Sequence, residues 1–375
     1  MESKKHFGPL GIIALPGCED LADSVDKYLA IWRKGSSSSQ AGYEEDSYII
    51  DVSLPRFGTG EAKGCLKSTV RGYDLYIMVD VCNYSIQYDI CGKKNPMSPD
   101  DHYQNLKRVI AACTGKPARI NVIMPFLYES RQHRRTGRES LDCALMLQEL
   151  ESMGVSNIIT FDAHDPRICN AIPLTGFDNY PTYYQMVKTL IRQNLHEDFK
   201  KENVLIISPD EGAVERAIYF ASMLGVNVSM FYKRRDYTRV ENGRNPIVAH
   251  EYLGESVEGK TAIIVDDMIA SGDSMVDVAR QLRARGAKSV IACASFGLFT
   301  AGMGVFDKAK EEGLIDKVLT TNLIYQAPET LSRDYYLNVD MSEYLANIVN
   351  TMNHNTSMEK LANPTEKITT KLKQS

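Results

Sequence analysis

The stretch TAIIVDDMIASGDSMVDVARQ, Thr261 to Gln281, decides how this chain reads. Small and apolar residues run into two adjacent carboxylates, Asp266 and Asp267. A short polar segment with a single glycine follows, and then a helical pattern. Met275, Val278, Ala279 and Leu282 fall on one face of that helix, and Gly286 is placed to end it. Backbone N–H groups at a helix start attract phosphate, aided by the helix dipole and by the hydroxyls of Ser271 and Ser274. Carboxylates repel phosphate, but they accept hydrogen bonds from sugar hydroxyls. Phosphate at one end and a diol at the other suggest a ribose 5-phosphate as ligand. A buried strand end with an aspartate capping the helix has the same residue pattern.

Outward from this stretch, strands and helices alternate. DLYIMVDV (74–81), RINVIMPF (119–126), NIITFDAH (157–164), VLIISPD (204–210), VNVSMFYK (226–233), TAIIVDD (261–267) and KSVIACASF (288–296) are short apolar runs of strand type. SLDCALMLQELESMG (140–154) and AVERAIYFASMLG (213–225) carry helical spacing and end in glycine. This rhythm predicts βαβ units, parallel sheets and ligands at the carboxyl ends of the strands. RKGSSSSQAGYEED (33–46) and YDICGKKNPMSPDD (88–101) read as loop insertions, and TSMEKLANPTEKITTKLKQS (356–375) as a loosely held tail.

Composition narrows the classes. With 375 residues, 43% of them hydrophobic and 24% charged, the chain has the balance of a soluble globular protein of two domains. A net charge of -5 argues against a nucleic-acid partner. No apolar run has bilayer-spanning length, so no membrane partner is expected. Eight cysteines never form a C-x-x-C pair, and the N-terminus lacks a clear signal segment, so a cytoplasmic location is expected.

VDDMIASGDS (265–274) resembles the ribose-5-phosphate loop of type I phosphoribosyltransferases and of ribose-phosphate diphosphokinases. Further segments resemble the diphosphokinases specifically. LPRFGTGEAKGCLKSTVRGYDLYIM (54–78) is similar to their N-terminal ATP loop, which implies ATP contacts at Phe57, Thr59 and Glu61. MPFLYESRQHRRTGRES (124–140) is similar to the second ATP loop, with Arg131, Gln132 and His133 at the nucleotide. NIITFDAHDP (157–166) and VLIISPDEGAVER (204–216) imply His164 and Asp210 as the residues of a Mg2+ site. VNVSMFYKRRDYTRVE (226–241) resembles the strand leading into a mobile catalytic loop, with Lys233 and Arg235 as the catalytic cations. For the ribose-5-phosphate loop the matched positions are Asp266, Asp267, Ser271, Gly272, Asp273 and Ser274.

The resemblance implies an α/β protein of two Rossmann-like type I phosphoribosyltransferase-fold domains in tandem, each with a mainly parallel sheet flanked by helices. The expected bounds are 1–178 and 179–350, followed by a polar tail over 351–375. The implied reaction transfers the diphosphoryl group of ATP to the anomeric hydroxyl of ribose 5-phosphate, giving 5-phosphoribosyl 1-diphosphate and AMP. The implied cofactor is Mg2+ and the implied assembly a homo-oligomer. The chain departs from the family pattern in several places. Gly58-Thr59-Gly60 stands where Ser-Asn-Gln is usual, His133 where Asp is usual, and Ala270 at a third acidic position. Asp273 and Ala213 occupy glycine positions, and Glu215 a basic one. These departures keep two alternatives in view: a type I phosphoribosyltransferase and a non-catalytic partner of a synthetase.

Overall fold

The computed structural model describes residues 7–35, 42–193, 202–235 and 247–362, with the backbone alone for 233–235, 247–250, Lys360 and Ala362. The chain divides into two compact units. The first holds 1–181, 322–325 and 340–363; the second holds 182–321 and 326–339. The expected boundary at 178/179 therefore falls at 181/182, and 340–363 packs with the first unit instead of the second.

The first unit opens with β1 (Leu10–Ala14), α1 (Glu19–Arg33), the short antiparallel pair β2 (Val52–Ser53) and β3 (Cys65–Leu66), and β4 (Asp74–Met78). Next come β5 (Gln87–Ile90), β6 (Lys93–Pro96), α2 (Pro99–Cys113), β7 (Arg119–Ile123), α3 (Asp142–Ser152), β8 (Asn157–Phe161) and β9 (Gly176–Tyr180). Its sheet has the order β1-β4-β7-β8-β9 and is parallel throughout. All of β4, and all of β7 and β8 beyond their first residues, is buried. Helices cover both faces of such a sheet, so these strands read as unbroken apolar runs.

The segment expected as a loop insertion over 88–101 is structured. β5 and β6 form an antiparallel hairpin whose turn residues, Cys91 and Gly92, both take positive φ (50° and 77°). That is the turn geometry that matches strand twist. Ser98 then caps α2: its hydroxyl accepts from the Asp101 amide, and the Asp101 carboxylate accepts from the Ser98 amide, with Pro99 as the first helical residue.

The second unit contains α4 (Tyr183–Arg192), β10 (Val204–Ser208), α5 (Val214–Leu224), β11 (Asn227–Arg235), β12 (Ile247–Leu253) and β13 (Thr261–Ile269). It continues with α6 (Asp273–Ala284), β14 (Ser289–Gly297), α7 (Gly304–Glu311), β15 (Lys317–Thr321), α8 (Pro328–Leu331) and β16 (Tyr336–Val339). Its sheet runs β12-β11-β10-β13-β14-β15-β16, parallel except for the edge pair of β11 and β12. Gly225 ends α5 in the left-handed conformation (φ 69°), as its sequence position predicts.

The chain then returns to the first unit as α9 (Ser342–Asn353) and α10 (Glu359–Ala362). Polar contacts hold α9 there. Arg33, only 1% exposed on α1, donates to the side-chain oxygens of Asn350 and Asn353. Asn353 donates in turn to Asp74 on β4 (2.9 Å), which also accepts two hydrogen bonds from Arg119. The exit of the 33–46 insertion is anchored beside them: the Tyr43 hydroxyl lies 2.9 Å from His354 Nε2, and the Tyr48 amide donates to Asp26. Residues 36–41 of that insertion, and the tail from 363 on, lie outside the described residues.

Candidate functional site

In the second unit β13 does not stop at the carboxylates, as the sequence reading expected, but continues to Ile269. Asp266 and Asp267 are therefore strand residues, Asp266 paired in register with Ala294 of β14. Asp267 is 3% exposed. Asp266 turns its Oδ1 back onto the Asp267 amide, 2.8 Å away. Burial, followed by the adjacent Asp267 charge, pushes the Asp266 carboxyl well above the ordinary carboxylate range, and the nearby Arg216 opposes the shift. Arg216, on α5, places Nη1 3.7 Å from Asp266 Oδ1 and 3.9 Å from Asp267 Oδ1.

After β13 the chain turns at Ala270-Ser271-Gly272 and enters α6. Gly272 is the N-cap, at φ 100°, and no side chain caps the helix. The Asp-cap alternative is therefore not what this turn adopts. A Cβ on Gly272 would stand 2.4 Å from the Phe306 ring, so both backbone conformation and space require glycine. The first amides of α6 are left without a capping side chain, an arrangement that suits an anion. Ser271 donates its hydroxyl to Asp273 Oδ2 at 2.7 Å, and both Asp273 and Ser274 are exposed. The Asp273 carboxylate is thus held by a neighbouring hydroxyl.

Asp210 follows β10. Its Oδ1 accepts from the Gly212 amide at 3.0 Å, while its carbonyl accepts from Ser208 Oγ at 2.7 Å. The backbone of Lys233 and Arg235 lies at the end of β11, opposite His250 and Ile247 of β12. They are strand residues, and their side chains, like the expected catalytic loop over 236–246, lie outside the described residues.

In the first unit Phe57 to Glu61 form a closed turn. The Phe57 amide donates to the Glu61 carbonyl and the Gly60 amide to the Phe57 carbonyl, both at 2.8 Å. Gly60 takes φ 91°. Thr59 Oγ1 donates to Glu61 Oε2 at 2.9 Å, so the departure to Gly-Thr-Gly gives Glu61 a fixed partner. Phe57 is 53% exposed. Its ring is not part of a core, which removes the ordinary reason for a phenylalanine here. Arg56, beside it, stacks on Tyr88 (4.0 Å to the ring centroid) and pairs with Asp101.

The second loop and the end of β8 come together. Asp162, at φ 40°, is a buried non-glycine residue in the left-handed region, and it turns the chain sharply before His164. The rings of His133 and His164 lie 5.3 Å apart. His133 Nδ1 lies 3.2 Å from the Ser130 carbonyl. His133 Nε2 lies 3.4 Å from Asp165 Oδ2. Arg167 grips Asp165 at both oxygens and holds its carboxyl down at about 2. Arg131 and Gln132 are exposed, with the Gln132 amide turned onto the Glu129 carbonyl. Among the described residues, no three His, Cys, Asp or Glu side chains gather into a group that would hold a metal by themselves.

Sequence reading overlooked Arg216 and Asp165. Arg216 did carry a signal: it stands four residues before the buried Phe220 and next to the buried Ala217, so a cation sits on the apolar face of α5. Asp165 was overlooked because, although Arg167 stands two residues on, its other partner, His133, comes from a distant segment.

Residues 10–154 match the family model for the N-terminal domain of ribose phosphate pyrophosphokinase, and residues 177–329 match the phosphoribosyl transferase domain. A ribose-phosphate pyrophosphokinase of Prochlorococcus marinus is 33% identical over 73% of this chain and 74% of its own length. One from Synechococcus elongatus is 29% identical over 83% of this chain and 87% of its own. The phosphoribosylpyrophosphate synthetase of Mycobacterium smegmatis shares the fold, with a TM-score of 0.73 at 23% identity, covering 92% of this chain and 99% of that one. The chain belongs to the ribose-phosphate pyrophosphokinase family.

Proposed function

We propose that this chain transfers the diphosphoryl group of ATP to ribose 5-phosphate. The anomeric oxygen attacks the β-phosphorus, the bond between the bridging oxygen and that phosphorus breaks, and AMP leaves. The hydroxyl proton is lost to solvent or to a phosphate oxygen. The observation that carries this reading is the continuous run from the Asp266-Asp267 pair, through the Gly272 turn, to the uncapped start of α6. It offers acceptors for a sugar diol at one end and amide donors for a phosphate at the other.

The 2- and 3-hydroxyls donate to Asp266 and Asp267. The α6 amides and Ser274 meet the 5-phosphate first, since the Ser271 hydroxyl is given to Asp273. On the nucleotide side, the exposed Phe57 ring is available to stack on adenine, and Arg131 and Gln132 are exposed donors for the base and phosphates. His133, in place of the usual aspartate, removes one negative charge from beside the triphosphate. Lys233 and Arg235 supply positive charge to the phosphoryl oxygens as negative charge builds there.

Mg2+ would draw most of its ligands from phosphate oxygens and water, so one or two protein groups suffice. The Asp210 carboxylate fits that demand as a hard oxygen ligand. His164, an imidazole, fits better through a bound water. When bound, the ion neutralises charge on the triphosphate. Among the described residues no helix is long and apolar enough to cross a membrane. A cytoplasmic homo-oligomer completes the reading.

The test is AMP release by purified chain given Mg-ATP. AMP should form only when ribose 5-phosphate is added. AMP formation independent of the sugar phosphate, or no AMP at all, contradicts the assignment.

A further inference from the structure

The Arg216 guanidinium touches neither the reacting atoms nor a phosphate site in the proposed reaction. It projects from α5, and its Nη1 comes within 4 Å of both carboxylates of the pair on β13, at 3.7 Å and 3.9 Å. Adjacent strand residues ordinarily point to opposite faces of a sheet. Here the Asp266 side chain folds back to the Asp267 amide, which brings its Oδ1 to the same cation. The Arg216 side chain is 10% exposed, that of Asp267 4% and that of Asp266 25%.

Two neighbouring carboxylates in such a place repel each other and lose hydration, and both effects favour taking up a proton. A protonated carboxyl is a poorer acceptor for a hydroxyl than a carboxylate. The cation works against that tendency. At distances beyond hydrogen-bond reach, Nη1 acts on the two Oδ1 atoms through charge and not through a directional bond.

We propose that Arg216 is a positioning residue for sugar recognition: its charge favours the ionised form of the Asp266-Asp267 pair and draws the two carboxylates together so that both can accept hydroxyls of ribose 5-phosphate. The proposal rests on the assignment of that pair to the sugar. It gives Arg216 no contact with the reacting atoms and no role toward ATP. It also explains how the acidic pair is tolerated within a strand and not in a solvated loop. The two carboxylates come from β13 and the cation from α5, and Asp210 adds repulsion at Asp266.

The experiment compares wild type with Arg216→Met and Arg216→Lys. It combines calorimetric titration with ribose 5-phosphate, steady-state KM for each substrate, and thermal melting. In Arg216→Met, the Kd and KM for ribose 5-phosphate should rise about tenfold or more, with the KM for ATP changing by less than about twofold. Arg216→Lys, which keeps the charge, should recover most of the loss. An Arg216→Met protein that binds the sugar phosphate like wild type overturns the proposal while leaving the assigned reaction intact. Equal weakening toward both substrates, or no rescue by lysine in a protein that melts like wild type, also overturns it. Should Arg216→Met fail to fold, Arg216→Lys decides: near wild-type sugar affinity supports the charge role, and a loss as large as that expected for methionine refutes it. Wild type that neither binds ribose 5-phosphate nor turns over overturns the assigned reaction, and this inference with it.

Discussion

Arg33 donates a hydrogen bond to Asn353 at 2.9 Å, across 320 residues of sequence and inside a buried site. Asn353 passes the connection on, donating to Asp74 Oδ2 and to the Gly8 carbonyl. The last long helix is thereby a structural part of the first unit. Asn353→Ala would remove an acceptor for a buried guanidinium and a donor to a buried carboxylate. The expected loss is about 2 kcal/mol or more in a urea titration. A change within experimental error of zero would show that the network adds nothing net.

Gly272→Ala should damage both stability and sugar binding. The added methyl meets the Phe306 ring, and φ 100° is unfavourable for any residue with a Cβ. A loss of about 1–3 kcal/mol is expected, together with a raised KM for ribose 5-phosphate. Unchanged melting in Gly272→Ala would mean that the turn relaxes freely.

Asp267→Asn should weaken ribose 5-phosphate far more than ATP. A charged acceptor to a hydroxyl is worth roughly 1.5–3 kcal/mol, or about ten- to a hundredfold in KM. Equal loss toward both substrates would point to a disturbed fold and not to a sugar contact.

Asp80 gives a pH signature. It is buried just beyond β4, and burial lifts its carboxyl to about 6 even though it accepts from the Tyr325 amide at 2.6 Å and the Cys82 amide at 2.9 Å. A carboxyl raised on folding binds more protons in the folded state. Its contribution is therefore fully present below about pH 4 and lost as pH rises through about 6. The unfolding free energy of wild type relative to Asp80→Asn should fall by roughly 3 kcal/mol across that window. A flat difference between the two proteins, or a slope of opposite sign, would contradict the assignment of this carboxyl.

Much of this was legible in the sequence. Short apolar runs became buried parallel strands, and Gly272 and Gly225 stand in left-handed backbone where their positions predicted a turn and a helix end. The unread parts have physical causes. Asp266-Asp267 looked like a strand stop because the cation that accompanies them, Arg216, arrives from another helix. The hairpin over 87–96 was hidden because turn residues dominate its composition, although Cys91 and Gly92 set the turn that joins its strands. The placement of α9 depends on Arg33, Asn353 and Asp74, a contact set without a local pattern. His133 was visible as a departure, but its position between the Ser130 carbonyl, the His164 ring and the Asp165 carboxylate required three-dimensional placement.

Lys233→Ala should lower kcat by about a hundredfold or more while sparing KM, if its charge is used mainly in the transition state. A raised KM with unchanged kcat would assign Lys233 to ground-state binding instead.

The most direct measurement follows a stoichiometric mixture of Mg-ATP, ribose 5-phosphate and this protein by phosphorus NMR. The account predicts that AMP and a diphosphate joined to the anomeric carbon appear together, in equal amounts, as the ATP signals fade. Formation of ADP in place of AMP, or an unchanged spectrum with properly folded protein, would contradict it.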